Sequence, residues 1–173
     1  INLLDADTAH LQQSIGQWIN QSAATGISLS SSISPVFGDT ALTFSVASDT
    51  DNVGIAASGT GLDGIPISPS TQYVVSLSIA QGQDTDRSFL LRLRQYDAAG
   101  VAGSVLNHDG DWVGVDSFTQ QGVGFVSDAD AAFLRFEYRV VGDSLLGDVY
   151  YLDAVCVREG TDPTFVPSLR IDG

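Results

Sequence analysis

A period-two alternation of apolar and polar residues runs through the second half of the chain and restricts the fold more than any other feature. Residues 73–79 place Tyr, Val, Leu and Ile on one face, and residues 89–96 and 133–140 alternate in the same way. Residues 149–157 are apolar on both faces apart from Asp153, which is typical of a central strand. Successive side chains of a strand point to opposite faces of a sheet, so these segments are predicted to be β-strands.

The composition also favours strands and turns over helices. The chain contains no Lys or Met, and 19 of its 21 acidic residues are Asp, so several strong helix formers are missing or rare. It contains 18 Gly, and turn signals rich in Gly, Asp and Asn separate the apolar segments. Weaker candidate strands are residues 27–33, 41–46, 53–57, 113–118 and 123–126. The sequence therefore predicts an all-β protein, an antiparallel β-sandwich or barrel.

Two segments deviate from this pattern. Residues 6–20 are the only helix-like stretch, with Leu11, Ile15 and Trp18 at roughly helical spacing. Residues 59–64 match G-x-G-x-x-G, but the Ile-Pro-Ile-Ser-Pro sequence that follows cannot open the helix that a dinucleotide site needs. We expect a turn there.

Charge and apolar run length exclude several classes of function. The 21 acids against seven Arg give a formal net charge of −14, which disfavours binding to duplex nucleic acid or to an anionic membrane surface. No apolar run approaches the 18 residues of a membrane span, so membrane insertion is not expected. A single Cys156 excludes an internal disulfide.

The sequence does not predict an enzyme. It has no G-x-S-x-G nucleophile elbow, and neither His10 nor His108 lies in a recognisable catalytic motif. Glu137 stands between Arg135 and Arg139 on the outer face of a predicted strand, where cross-strand charge pairing explains it better than catalysis does.

Asp153 is unusual because it interrupts an apolar strand. A buried carboxylate needs a hydrogen-bonding, ionic or metal partner, so both a calcium ligand and a hydrogen-bonded structural role are open. Asp also occurs in five D-x-D pairs, which we interpret mainly as turn-forming residues.

The predicted strands 89–96 and 133–140 both direct polar side chains outward. Five of them are candidates for a shared surface: Arg92, Arg94, Tyr96, Arg135 and Arg139. Planar guanidinium and aromatic groups suit sugar hydroxyls and ring faces, so the surface could bind a glycan. The alternative is a ladder of salt bridges with Glu137 and loop Asp residues.

Several short motifs follow one another in an order that resembles a known family. They are Asn2-Leu3-Leu4, Trp18, Gly38-Asp39-Thr40-Ala41-Leu42, residues 65–73, Gln95-Tyr96-Asp97-Ala98-Ala99-Gly100, Trp112, Phe118-Thr119, residues 151–155 and Glu159-Gly160-Thr161. In this order they resemble carbohydrate-binding modules of the jelly-roll class, families 4, 9 and 22. The resemblance spans residues 2 to about 167.

Within that class, the chain most resembles the domain found in minor tail proteins of phages that infect actinobacteria. The shared motifs are Asn2-Leu3-Leu4, Tyr96-Asp97-Ala98-Ala99-Gly100 and the Tyr-x-Asp-x-Val pattern of residues 151–155. The resemblance implies a jelly-roll sandwich and a structural calcium ion, with Gln12, Asp39 and Asp153 at the corresponding ligand positions.

These observations give one expectation about organisation and function. Residues 1–167 are expected to form a single domain, with residues 168–173 a linker or the start of another domain. The expected function is that of a non-catalytic module in a phage minor tail protein, in the virion tail outside the cell, contacting host cell-surface polysaccharide and other tail proteins, with a homotrimer as the expected oligomer. The alternatives are a module appended to a secreted bacterial glycoside hydrolase, or a structural spacer that binds no sugar.

Overall fold

The chain folds into two antiparallel β-sheets packed face to face, as a computed structural model describes it for residues 1–83, 88–110 and 114–168. The strands of the first sheet are β1 (Ile19–Ser22), β4 (Thr50–Ala56), β5 (Ile65–Pro66), β7 (Ser88–Asp97), β8 (Ala102–Gly110) and β10 (Ala131–Ser144). The strands of the second are β2 (Ala24–Ser30), β3 (Ala41–Val46), β6 (Gln72–Gln81), β9 (Thr119–Val126) and β11 (Val149–Glu159). The predicted antiparallel β-sandwich is confirmed.

The order of the strands shows which segments are central. The six-stranded sheet runs β1-β4-β10-β7-β8, with β5 also paired to β10, and the five-stranded sheet runs β2-β3-β11-β6-β9. The alternating segments β6, β7 and β10 and the segment apolar on both faces, β11, each lie inside their sheet. Strong apolar patterning therefore marks the strands that have a neighbouring strand on each side and also face the core.

The core lies between the sheets and is filled by the inward side chains of the central strands. Phe136 of β10 pairs with Leu93 of β7, and both side chains are buried. Trp18 meets Phe136 edge to face, with 5.6 Å between the ring centroids. Burying each such large side chain contributes about 1.5–3 kcal/mol.

The predicted helical segment 6–20 is largely wrong. Helix α1 covers only Ala6–His10, capped by the Asp5 carboxylate, which accepts a hydrogen bond from the Thr8 amide at 2.9 Å. Leu11 adopts a left-handed φ of 56° and ends the helix. The chain then turns at Gly16, with φ 57°, where an added Cβ would lie 2.3 Å from the Thr8 nitrogen. The last residues of the segment join a sheet as β1.

Strand β8 was not predicted, because its sequence contains the Gly, Asn and Asp residues of a turn. It is an edge strand, and its ladder with β7 holds it without buried side chains of its own. The predicted strand 27–33 is displaced, since β2 covers Ala24–Ser30. Trp112 and the first residue of the predicted strand 113–118 lie outside the described residues. Residues 114–118 form one isolated bridge rather than a strand. The G-x-G-x-x-G segment is a turn, with one 3-10 turn at Gly61–Asp63.

The first and last described segments lie side by side. The Leu3 amide donates to the Val157 carbonyl at 2.7 Å, and the Asn2 side chain donates to the carbonyls of Val155 and Val166. The Ser168 amide donates to Nε2 of His10 at 2.8 Å. Residues 161–168 therefore pack on the sandwich without regular secondary structure. Among the described residues, no helix has the length and apolar character needed to cross a membrane.

Candidate functional site

The outer face of the six-stranded sheet carries a groove of about 480 Å³, here called the arginine groove. Its lining residues are Gln21, Thr60, Arg92, Arg94, Tyr96, Ala102, Arg135, Glu137 and Arg139. All five side chains proposed from the sequence as a shared surface are among them. The structure therefore brings together residues that are far apart in the chain.

The register of β7 and β10 explains why these side chains meet. Arg94 is paired with Arg135, and Arg92 is paired with Glu137, in an antiparallel ladder. Their neighbours Leu93 and Phe136 point into the core, so the period-two alternation turns the charged residues outward.

A glycine on the adjacent strand makes room for one of the arginines. Gly54 of β4 is paired with Arg139, and an added Cβ on Gly54 would lie 2.9 Å from the Arg139 Cγ. The stem of Arg139 thus lies close over the β4 backbone.

Glu137 holds two of the arginines in place. Its Oε2 accepts a hydrogen bond from Nε of Arg139 at 2.6 Å, and its Oε1 accepts one from Nε of Arg135 at 3.3 Å. The predicted charge pairing of Glu137 is present, but with residues two positions away on the same strand rather than across strands. Partly buried pairs of this kind fix the orientation of a guanidinium group more than they stabilise the fold.

Arg92 and Arg94 are arranged differently. Both side chains are half-buried, and within the described ranges neither guanidinium has a hydrogen bond or an ion pair. The salt-bridge ladder proposed as the alternative is thus present only on the β10 side of the groove.

Among the described residues, the groove has no exposed aromatic platform. Tyr96 lines one end, but only 6% of its surface is exposed. The Oε1 atom of Gln21, which also lines the groove, is buried and has no hydrogen-bond partner among the described residues.

Asp153 is fully buried and satisfied by backbone donors. Its Oδ2 accepts hydrogen bonds from the amides of Val36 at 2.7 Å and Phe37 at 2.9 Å, and its Oδ1 accepts from Ala154 at 2.8 Å. Burial raises the pKa of Asp153, and these three hydrogen bonds act in the opposite direction. Asp153 sits at an irregularity in the β11–β6 ladder, where Ala154 adopts φ 50°. The hydrogen-bonded role proposed for Asp153 is therefore present, and its role as a calcium ligand stays a prediction.

Gln12 sits in a cage of backbone groups. Its Nε2 lies 2.8 Å from the carbonyl oxygens of Phe37 and Thr40, 3.0 Å from that of His10 and 3.3 Å from that of Leu11. Its Oε1 accepts from the Asp39 amide at 2.6 Å. The four carbonyls thus surround a hydrogen-bond donor.

This arrangement does not fit the calcium ligand set that the resemblance implies. Both oxygens of Asp153 are taken by amides, the Nε2 of Gln12 occupies the space among the carbonyls, and the Asp39 side chain is exposed. A calcium ion needs six to eight oxygen ligands converging on one point. Within the described ranges, no three His, Cys, Asp or Glu side chains form such a group. The calcium ion stays an untested expectation of the resemblance, and the geometry of Gln12, Asp39 and Asp153 argues against it.

Sequence reasoning missed three lining residues of the groove: Gln21, Thr60 and Ala102. Gln21 belonged to a segment just after the predicted helix, and Ala102 to a predicted turn. Gln21 and Ala102 lie on this face because they belong to the edge strands β1 and β8. No pattern in the sequence marked those two strands.

Comparison with known proteins shows the fold. No family model and no curated protein matches the chain. Among solved structures, the C-terminal family 22 carbohydrate-binding module of Clostridium thermocellum Xyn10B is 16% identical with a TM-score of 0.61, and the match covers 94% of this chain and 98% of that one. The enzymatically active domain of bacteriophage CBA120 tailspike protein 4 is 15% identical with a TM-score of 0.66, over 92% of this chain and 21% of that one.

A third similar structure is the arabinose-bound MgGH51 α-L-arabinofuranosidase, at 19% identity and a TM-score of 0.67. The match covers 93% of this chain but 27% of the enzyme, so the chain spans about a quarter of that protein's length. The chain therefore has the jelly-roll β-sandwich fold that is found in carbohydrate-binding modules.

Proposed function

We propose that this chain is a non-catalytic carbohydrate-binding module and that the arginine groove is its polysaccharide site. One observation carries the proposal: the five outward side chains singled out by the alternation line a single groove, on a fold that is found in carbohydrate-binding modules. A volume of about 480 Å³ lies in the range of small-molecule sites. Fixed polar groups in a concave site are what orient a sugar.

As the larger assembly, we propose a minor tail protein of a phage, outside the cell, where the module contacts host cell-surface polysaccharide. The motif order of residues 2–155 and the fold likeness to a phage tailspike support this placement. Other tail proteins are then its partners, and light scattering of the purified protein tests the proposed homotrimer.

The fold likeness to an arabinofuranosidase favours a second candidate, a module appended to a secreted bacterial glycoside hydrolase. Electron microscopy with an antibody against the domain separates the two: labelling of phage tails supports the first candidate, and its absence contradicts it.

Affinity electrophoresis against a panel of neutral and acidic polysaccharides tests the binding function. The wild type is compared with the double variant Arg92→Gln/Arg94→Gln and with Arg158→Gln, which removes an arginine on β11, outside the groove. We expect at least one polysaccharide to retard the wild type and Arg158→Gln but not the double variant. Absence of binding to every polysaccharide would overturn the proposal in favour of a structural spacer. Binding that survives in the double variant would place the site elsewhere.

A further inference from the structure

The arginine groove is a positively charged site on a strongly acidic protein. Four of the seven arginines of the chain line it and, among the described residues, a single carboxylate, Glu137, so this described lining carries a formal charge of +3. The whole chain carries −14. A cleft with one sign of charge concentrates ligands of the opposite sign, and the acidic remainder of the surface discourages a polyanion from binding elsewhere.

Two like charges face each other within the groove. Arg94 and Arg135 are directly paired across β7 and β10, with both side chains turned outward. Like charges directly opposite each other destabilise a sheet. Nothing in the packing of the core requires two arginines at this pair, and Glu137 pairs with Arg135 but not with Arg94, so the juxtaposition points to an anionic ligand.

Two arginines of the groove already pair with a carboxylate of the chain. The Glu137 carboxylate lies between Nε of Arg135 and Nε of Arg139, at 3.3 and 2.6 Å. A planar guanidinium pairs with a planar carboxylate through two parallel hydrogen bonds. Arg92 lies opposite Glu137 in the ladder and Arg94 lies opposite Arg135, and among the described residues neither Arg92 nor Arg94 forms an ion pair.

The groove is less suited to a neutral sugar. Neutral sugar rings stack on exposed aromatic side chains, and Tyr96, the one aromatic residue of the lining within the described ranges, is only 6% exposed. The polar groups that remain accessible are mostly cationic. Charge-assisted hydrogen bonds therefore offer more binding energy here than ring stacking does.

We infer that the ligand of the arginine groove is an acidic polysaccharide whose sugar units carry carboxylates, that is, a polymer containing uronic acids. The inference rests on the proposed function, because it names the ligand class of the same groove. Arg92 and Arg94 receive a carboxylate of the polymer, and Glu137 keeps Arg135 and Arg139 in position.

The test compares one polymer backbone with and without its charge. Polygalacturonate and its highly methyl-esterified form are titrated into the purified domain by isothermal calorimetry at physiological salt, alongside alginate and hyaluronate. We expect at least one of the three carboxylated polymers to bind, and we expect its esterified form to bind about tenfold more weakly or not at all, since an ionic hydrogen bond is replaced by a neutral one. Equal binding of the charged and esterified forms would overturn the inference.

Two further arms separate a shaped carboxylate site from general charge attraction. The variant Arg92→Lys/Arg94→Lys keeps both charges without the planar fork, and we expect it to lose affinity almost as strongly as Arg92→Gln/Arg94→Gln. Dextran sulfate serves as a polyanion without carboxylates. Wild-type affinity in the lysine variant, or equal affinity for dextran sulfate and the carboxylated polymer, would contradict a carboxylate site.

The failure of this inference is distinguishable from the failure of the proposed function. Binding of neutral polysaccharides alone, abolished in the groove variants, would overturn the acidic ligand and leave the carbohydrate-binding module standing. Binding of no polysaccharide at all would overturn both. Circular dichroism of each variant, with Arg158→Gln as the matched removal of a charge outside the groove, confirms that a loss of binding is not a loss of folding.

Discussion

Arg94 and Arg135 stand directly opposite each other on neighbouring strands, and both side chains point into the same groove. Like charges in this position oppose folding by roughly 0.2–1 kcal/mol. We therefore expect Arg94→Gln to raise the free energy of unfolding slightly, or to leave it unchanged, while it abolishes binding. Urea denaturation with Arg158→Gln as the control measures this, because Arg158 forms an ion pair with Asp162 at 3.0 Å and gives no such gain. A destabilised Arg94→Gln would show that Arg94 contributes to folding.

Asp153 is expected to be essential to stability because of its backbone donors. In Asp153→Asn, one of the two acceptor oxygens becomes an NH₂ group, which faces an amide that is itself a donor. We expect a loss of about 1–3 kcal/mol in the free energy of unfolding.

The matched control for Asp153 is Asp39→Asn, which changes an exposed side chain in the same way. It should alter stability by less than about 0.5 kcal/mol. Equal losses in the two variants, measured by chemical denaturation, would contradict the role assigned to Asp153.

The surroundings of Gln12 lead to a prediction about metal removal. Because its Nε2 fills the space among four carbonyls, we expect the wild-type melting temperature to be the same in calcium and in a chelator. In Gln12→Glu a carboxylate replaces that donor, so we expect destabilisation in the chelator and recovery in calcium. A chelator-sensitive melt of the wild type, lost in Asp153→Ala, would instead support the structural calcium ion.

His10 is expected to make stability depend on pH. Burial lowers its pKa from 6.5, although Asp7 acts in the opposite direction, and its Nε2 must be unprotonated to accept the Ser168 amide. A histidine whose pKa is lower in the folded state than in the unfolded state contributes stability at pH values above the unfolded-state pKa. That contribution is lost as the pH falls. The stability of the wild type relative to His10→Gln should therefore decrease below pH 6.5.

NMR titration of His10 checks this directly. Asp7→Asn should lower its pKa further, because the acid raises it in the wild type. A pKa at or above 6.5 in the folded wild type would contradict the prediction.

Gly110 is expected to be irreplaceable although it lies on an edge strand. It is paired with Phe89, and an added Cβ would lie 1.4 Å from the Phe89 ring, which is fully buried. Gly110→Ala forces that ring out of its position, at a cost of about 3 kcal/mol. The control is Gly124→Ala on the other edge strand β9, where the nearest atom is the flexible end of Gln72 at 3.2 Å. An equal decrease in melting temperature for Gly110→Ala and Gly124→Ala would contradict this packing of Phe89 against Gly110.

The sequence predicted the central strands and the groove because both depend on alternation. Once β7 and β10 alternate, Arg92, Arg94, Arg135 and Arg139 have to lie on the face opposite the core. The edge strands β1 and β8 could not be predicted, since they bury little apolar surface and are held by hydrogen bonds to β4 and β7. Likewise, the Asp153 position indicated a satisfied carboxylate, but its partners Val36 and Phe37 are more than 100 residues away in a loop without a motif.

The pairing of the first and last segments has a mechanical consequence. The Asn2 side chain and the Leu3 amide tie residues 2–4 to β11 and to the segment around Val166, at one end of the sandwich. A pulling force applied at residues 2 and 168 acts first on these few hydrogen bonds, which open one after another. The long β6–β11 and β7–β10 ladders carry the load only afterwards. We therefore expect this end of the sandwich to open under tension before the sheet that bears the groove does.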